Sequence, residues 1–82
     1  MVTPESVKIG IEAGLECESV EVIGDGQHFQ ARIVSCAFAG KSRVQRHQLV
    51  YRALGERMRE EIHALSMQTL TPEEAAGETR DG

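Results

Sequence analysis

Residues 19–34, SVEVIGDGQHFQARIV, decide the fold class of this chain. In the first part Val20 and Val22 alternate with Glu21, and in the second part Phe29 begins another alternation of apolar and polar residues. This two-residue period is typical of strands with one buried face. The sequence GDG at positions 24–26 separates the two parts, and these residue types tolerate the positive φ of tight turns. The stretch therefore predicts an antiparallel hairpin with strands over residues 19–23 and 28–35.

The segments around the hairpin carry helical patterns and one further strand. Thr3 and Pro4 are typical of a helix start, and Ser42 is expected to cap a longer helix that Gly55 bends or breaks. Apolar and polar residues alternate again after this helix, which predicts a third strand. The predicted elements are a helix from residue 4 to about 14, the hairpin, helices over 43–54 and 56–61, a strand over 63–69 and a helical turn from 72.

The order α-β-β-α-α-β-α predicts a small α/β (α+β) domain. The helices between the second and third strands form a crossover, and a crossover connects parallel strands. We therefore expect a three-stranded mixed sheet with the helices on one face. Residues 1–76 would form this single domain. Residues 77–82, which contain only Gly, Glu, Thr, Arg and Asp, would form a disordered tail.

The composition favours a binding or accessory protein and not an enzyme. A chain of 82 residues has a thin core and little room for a deep pocket, and the sequence shows no nucleophilic triad, phosphate loop or paired-carboxylate pocket. Because it also shows no signal-peptide pattern and no apolar run of membrane-spanning length, we expect a soluble cytoplasmic protein with reduced thiols. Its formal net charge of -4 argues against a generally basic nucleic-acid binder.

The positive charges are nevertheless concentrated in one segment. Residues 40–55 contain four cations and no acid, so part of the long helix is expected to be locally positive. Such cations contact nucleic-acid phosphates or steer an acidic protein partner, and an ordinary solvated helix face has the same pattern. Without aromatic stacking, DNA binding would be weak and sensitive to salt. The four cations are Lys41, Arg43, Arg46 and Arg52.

Two histidines begin predicted strands. His28 opens the second strand and His63 the third, so parallel pairing of these strands would bring both imidazoles to one edge of the sheet. A metal-binding pair and a pair of structural histidines, each bonded to a backbone carbonyl, both fit this position. Strand parity groups His63 with the inward-facing Leu65 and Met67, whereas His28 alternates with the inward-facing Phe29.

The third histidine and the two cysteines are expected to have structural roles. His47 lies within an apolar arc of the long helix, so we expect it to be hydrogen-bonded in or near the core and not to bind metal. Cys17 and Cys36 are interpreted as small apolar filler, with Cys17 as a weak fallback metal ligand. The expected core arc contains Val44, Val50, Tyr51, Leu54 and Met58, and Phe29 joins it from the sheet.

Five motifs, taken together, make the chain similar to the BolA family. They are GDGQHF at 24–29, FAGKSRV at 38–44, RHQLVY at 46–51, IHAL at 62–65 and LTPE at 70–73, in this order. The chain resembles the short bacterial branch associated with acid stress more than the longer morphogene branch. Two features depart from the related patterns: FAGK at 38–41 is not the Gly-x-x-Gly loop of RNA-binding KH domains, and Ala75 stands where the family often has an aromatic residue.

The resemblance implies a fold like the type II KH domain and a role as an accessory protein. The family's partners are monothiol glutaredoxins, with which it shares a 2Fe–2S cluster, so no cofactor is expected in the isolated chain, which would be a monomer or weak homodimer. In that complex His63 matches the family's histidine ligand, and His28 is the matching candidate for a second ligand from the hairpin. The alternative implied by the family is a DNA-binding transcriptional regulator that uses the basic helix over residues 41–54.

Overall fold

A computed structural model describes the backbone of residues 2–25, 27–61 and 64–80, and the side chains of these residues except 56–61, 64 and 78–80. It confirms the predicted α/β class and the order of the elements. They are α1 (Pro4–Gly14), β1 (Ser19–Gly24), β2 (His28–Val34), a short 3₁₀ turn (Cys36–Phe38), α2 (Arg43–Glu61), β3 (Ala64–Leu70) and α3 (Pro72–Arg80).

Reciprocal side-chain caps begin the first two helices. The Ser6 amide donates to Thr3 Oγ1 at 3.1 Å, and the Thr3 amide donates to Ser6 Oγ at 2.9 Å. Helix α2 repeats the arrangement, because the Ser42 amide donates to Gln45 Oε1 at 2.8 Å and the Gln45 amide donates to Ser42 Oγ at 3.2 Å. Each cap satisfies N–H groups that a first helical turn leaves without intrahelical partners.

The three strands form one mixed sheet in the order β1-β2-β3, as predicted. Strand β2 is central: it pairs antiparallel with β1 and parallel with β3. In this register Ala31 lies opposite Val22 on one side and Met67 on the other. Because side chains opposite one another in a ladder point to the same face, the apolar alternation of all three strands lines up on one face.

Helices α1 and α2 cover that face and close the core. Phe29 and Ile33 of β2 are fully or almost fully buried, and they pack with side chains of both helices. The opposite face of the sheet is open to solvent at Glu21, Gln30 and Ser66. The buried cluster comprises Val2, Val7, Ile11, Val20, Phe29, Ala31, Ile33, Phe38, Val50 and Leu54.

A glycine sets how closely α1 and α2 approach each other. Gly14 is the last residue of α1, and a Cβ atom added there would lie 2.6 Å from the Cα of Ala53 in α2. Real Cβ contacts are not that short, so only glycine allows the two helix backbones to meet at this point.

The long helix α2 differs from the predicted arc in two residues. Gly55 interrupts it with φ 82° and ψ 163°, which bears out the expected bend. Val50 and Leu54 are buried as expected, but Val44 is 65% exposed, and Leu49, which is not in the predicted arc, packs against the core. The inward-facing arc of α2 is therefore shifted relative to the wheel, and its first turn extends past the core.

Helix α3 is longer than the single turn expected from the sequence. It begins at Pro72, as predicted, and continues to Arg80. The division of the chain into a domain of residues 1–76 and a tail of residues 77–82 stays a prediction. Among the described residues, no helix is long and apolar enough to cross a membrane.

Candidate functional site

The turn of the β1–β2 hairpin is organised by one carboxylate. Asp25 Oδ1 accepts hydrogen bonds from the amides of Gln27 at 3.0 Å and His28 at 2.9 Å. The Asp25 amide in turn donates to the carbonyl oxygen of His28 at 3.2 Å. Gly24 permits the tight return, because a Cβ there would lie 2.6 Å from that same carbonyl oxygen. The turn thus fixes the backbone from which the His28 imidazole projects.

The imidazole of His28 is accessible at this end of the sheet. Its side chain is 74% exposed, and its Nδ1 atom lies 3.9 Å from Asp25 Oδ2, which is too long for a hydrogen bond. The amides of His28 and Gln27 hold the pKa of Asp25 below its usual range, so this carboxylate is anionic beside the ring. An exposed imidazole is a suitable ligand for a metal supplied from outside.

The parallel register relates His28 to the start of β3. The Cα of His28 pairs with that of Ala64, the first residue of the strand. His63 precedes Ala64 in the sequence and lies outside the described residues, so its orientation stays a prediction. The predicted alignment of the starting ends of β2 and β3 is nevertheless present at the two described positions. Among the described residues, no three His, Cys, Asp or Glu side chains are grouped to hold a metal ion.

Cys17 lies too far from His28 to share an ion with it. The amide of Glu18 donates to the carbonyl of Val34 at 2.8 Å, so Cys17 lies beside the last residue of β2, whereas His28 is its first residue. A strand of seven residues spans roughly 20 Å at about 3.3 Å per residue. The fallback role of Cys17 in a site with His28 is therefore excluded by the strand direction.

His47 is half-buried in α2, and its Nε2 atom lacks the hydrogen bond expected for it. Its Nε2 atom is buried and has no hydrogen-bond partner within the part of the chain that the structure describes. Burial, with a smaller contribution from the Arg43 charge, lowers the pKa of His47. The neutral imidazole is consequently the form that suits the fold, in agreement with a structural role.

Arg46 is held inside the fold and is not an exposed member of a basic patch. Its side chain is 14% exposed and forms a bidentate pair with Glu74 of α3, at 2.8 and 3.3 Å. The guanidinium also donates to the carbonyl oxygens of Lys41 at 3.1 Å and Thr69 at 3.0 Å, and it lies 5.9 Å from the ring centre of Phe38. The sequence analysis named Arg46 among four cations that could contact phosphates or an acidic partner, whereas in the structure its guanidinium joins α2, β3 and α3.

The remaining cations do not form one surface. Lys41, Arg43 and Arg46 line an open cavity of about 440 Å³ beside residues 67–70 of β3. Arg52 is also exposed, but it follows Arg43 by nine residues, which is two and a half helical turns, so the two side chains project from opposite sides of α2. We call the cavity lined by Lys41, Arg43 and β3 the basic depression; Arg52 is not part of it.

Sequence reasoning missed the role of Glu74. The stretch Thr71-Pro72-Glu73-Glu74 indicated a helix cap, and the cap is present: the Thr71 amide donates to Glu74 Oε1 at 2.8 Å, and the Glu74 amide donates to Thr71 Oγ1 at 3.2 Å. The same carboxylate binds Arg46 from another element. A capping signal is local and carries no information on a partner so distant in the sequence.

Comparison with known proteins assigns this chain to a family. A family model described as BolA-like protein matches residues 2–74. The architecture is that of BolA-fold proteins, since the solved structure of a BolA homologue from Coxiella burnetii superposes with a TM-score of 0.78 at 46% identity, covering 93% of this chain and 99% of that one. A Bol-like protein from Babesia bovis gives a TM-score of 0.84 at 33% identity, with coverage of 98% and 96%. The chain belongs to the BolA-like protein family.

The named relatives include an acid stress protein and a transcriptional regulator. The chain is 44% identical over 63 residues to acid stress protein IbaG of Escherichia coli, covering 76% of this chain and 75% of that protein. It is 45% identical over 51 residues to the DNA-binding transcriptional regulator BolA of Haemophilus influenzae, covering 62% and 50%. A match of 51% identity over 51 residues to SufE-like protein 1 of Arabidopsis thaliana covers 61% of this chain and 14% of that protein. The chain thus spans half or less of these last two relatives.

Proposed function

We propose that this protein is a non-enzymatic accessory protein that binds a monothiol glutaredoxin and supplies histidine ligands to a shared 2Fe–2S cluster. The observation that carries the proposal is the pairing of His28 with Ala64, the residue after His63, at an exposed edge of the sheet. Membership of the BolA-like family supports it. The same proposal places the protein in the cytoplasm, as a monomer or weak homodimer when alone, with a role in stress or redox regulation.

The residues at this edge suit the chemistry of such a cluster. Imidazole nitrogen is an established ligand of 2Fe–2S centres, in which two histidines on one iron raise the reduction potential. His28 presents its ring to solvent, and the carboxylate of Asp25 lies on the Nδ1 side. Only the neutral imidazole can bind a metal, so protons compete with ligation as the pH falls. His63 would be the principal ligand and His28 the second candidate.

Replacing His63 by alanine is expected to abolish or shift the visible absorption and circular dichroism of a cluster shared with a monothiol glutaredoxin. The His28→Ala variant should change the same spectrum less, because His63 is the principal ligand in this proposal and a solvent ligand can occupy the position of His28. Wild-type protein and both variants would be mixed with the cluster-loaded glutaredoxin and compared by spectroscopy and gel filtration.

Gln27→Ala is the matched control, because Gln27 is an exposed neighbour of His28 in the same turn and keeps its amide bond to Asp25. Its complex should have the wild-type spectrum. If His63→Ala retained both the wild-type spectrum and complex formation, the proposed ligand role would be wrong.

The second candidate function is binding of DNA in the basic depression. Two exposed cations and a strand edge line one cavity there, and the name of the Haemophilus relative describes a DNA-binding regulator. Lysine and arginine at such a surface contact phosphates, which gives an affinity that falls with salt. This alternative and the glutaredoxin complex use different ends of β3, so each can be tested separately.

If DNA binds in the depression, Lys41→Ala and Arg43→Ala should each weaken binding and reduce the slope of log K against log salt by about 1. Arg52→Ala should leave both quantities nearly unchanged, because Arg52 projects from the opposite side of α2. Titration of labelled duplex DNA by fluorescence anisotropy at several salt concentrations measures both. Equal effects of all three variants would argue against a site in the depression.

A further inference from the structure

The end of the sheet opposite the hairpin turn brings the two cysteines to one cavity. Cys17 lies just before β1 and Cys36 just after β2, and both line an open cavity of about 480 Å³ together with Glu16, Glu18 and Ala37. Both thiols are free. The Cys36 side chain is exposed and Cys17 is half-buried, so one of the two sulfurs is directly accessible to a reagent in solution.

Hydrogen bonds hold the two cysteine segments side by side. Besides the bond from the Glu18 amide to the Val34 carbonyl, the buried hydroxyl of Ser35 donates to the carbonyl of Glu16 at 2.6 Å and accepts from the amide of Ala37 at 3.1 Å. Ser35 therefore ties the residue before Cys17 to the residues on both sides of Cys36. These bonds restrict the relative motion of the two cysteine backbones.

Both cysteines lie just beyond the same end of the β1–β2 ladder. The ladder ends at the pair Ser19 and Val34, and Cys36 is the first residue of the 3₁₀ turn that follows β2. Disulfides require a Cα separation of about 4.4–6.8 Å, which is the distance scale of neighbouring segments that are hydrogen-bonded to each other.

We propose that Cys17 and Cys36 form an oxidative modification site, in which a hydroperoxide converts the two thiols into an intramolecular disulfide. The exposed Cys36 sulfur attacks the O–O bond of the peroxide, which gives a sulfenic acid and releases water or an alcohol. The Cys17 sulfur then attacks the Cys36 sulfur, the S–O bond breaks, and the hydroxyl leaves as water with the Cys17 proton. Two thiols are oxidised to one disulfide, and one peroxide is reduced.

The environment of Cys17 suits its attack on the Cys36 sulfenic acid better than a direct reaction with peroxide. Its Sγ donates to the carbonyl of Leu15 at 3.2 Å, and burial together with the nearby charge of Glu12 raises the pKa of this thiol. A protonated, half-buried thiol reacts slowly with peroxide, whereas it can still resolve a sulfenic acid that forms beside it. The site lies roughly 20 Å from His28 along β2, so it does not depend on the proposed cluster function.

The test is to treat the reduced protein with one equivalent of hydrogen peroxide and analyse it by mass spectrometry without reduction. We expect the intact monomer to lose two hydrogen atoms and both titratable thiols. Trypsin cleaves after Arg32, between the two cysteines, so the disulfide should link peptide 9–32 to peptide 33–41. Adding a dithiol reductant should restore both thiols.

Single serine variants separate the two steps. With an excess of peroxide, Cys17→Ser should accumulate sulfinic or sulfonic acid at Cys36, because the resolving thiol is absent, while Cys36→Ser should react at least about tenfold more slowly than wild type. The proposal would be overturned if wild-type protein kept both thiols, if it accumulated sulfinic acid at Cys36 without a cross-link, or if only disulfides between two molecules formed.

Discussion

Replacing Arg46 by alanine is expected to lower the free energy of unfolding by about 2–3 kcal/mol. The guanidinium donates to two carbonyl oxygens, of Lys41 and Thr69, in addition to its pair with Glu74. Hydrogen bonds from a charged group to partly buried acceptors are worth more than exposed ion pairs. Alanine also removes the contact of the side chain with Phe38. Chemical denaturation monitored by far-ultraviolet circular dichroism measures the change.

Arg43→Ala is the matched control for this prediction. Arg43 has the same charge, lies one turn earlier in α2 and is exposed, so its removal should change stability by no more than about 0.5 kcal/mol. If both variants lost the same stability, the effect would arise from net charge and not from the contacts of Arg46.

The partner carboxylate gives the same interaction a pH dependence. The side-chain bond from Arg46 and the amide of Thr71 hold the pKa of Glu74 below its ordinary value of 4.5. A carboxyl group whose pKa is lower in the folded state stabilises the fold above its unfolded pKa, and this contribution disappears as the pH falls through the folded pKa. Glu74→Gln should therefore weaken the acid dependence of stability below about pH 4.5, and so should Arg46→Ala.

Gly14→Ala is expected to be nearly as damaging, with a loss of about 2–3 kcal/mol. The added methyl group would lie 2.6 Å from the Cα of Ala53 and 2.9 Å from its carbonyl oxygen. Because both contacts are to backbone atoms, a side-chain rotation cannot relieve them, and α1 must move away from α2. That movement would loosen the packing of Ile11 and Val50, which are completely buried.

Gly77→Ala provides the control for Gly14→Ala. Gly77 lies within α3, and nothing stands within 4 Å of an added Cβ. Alanine has the higher helix propensity, so this variant should be stabilised by about 0.5–1 kcal/mol or remain unchanged. Urea denaturation should show a loss of stability for Gly14→Ala and no loss for Gly77→Ala; a similar loss in both variants would mean that the close approach at Gly14 is not the cause.

The sheet was predictable from the sequence because short stretches of residues carry the patterns that specify its strands and connections. The hairpin follows from alternation over residues 19–34, and the parallel pairing follows from the helices that separate β2 from β3. The long helix was less predictable, as Val44 shows. A helical wheel gives the direction of a side chain around the axis but not its position along it, and the first turn of α2 lies beyond the part that the sheet and α1 cover.

The sequence predicted where the starts of β2 and β3 lie better than it predicted which charged side chains share a surface. The register confirms that β2 and β3 start at one edge, which follows from topology alone. The contacts of the basic segment were not predictable, because a sequence shows which residues are charged but not which groups they pair with. Arg46 pairs with a carboxylate on α3, and Arg52 projects from the opposite side of α2 to Arg43. Such long-range pairings depend on how separate elements pack, and no local pattern encodes them.

The parallel pairing of β2 with β3 also determines at which stage of folding the edge that carries His28 and Ala64 forms. The hairpin joins residues close in sequence, so its turn can form early, whereas pairing His28 with Ala64 must first close the long chain segment between them. Closing such a loop costs entropy before any contact compensates for it, and parallel pairing of distant strands is therefore slow. During folding, an accessible imidazole at position 28 is therefore expected to precede the completed edge, and a chain arrested at the hairpin stage would present His28 without the start of β3 beside it.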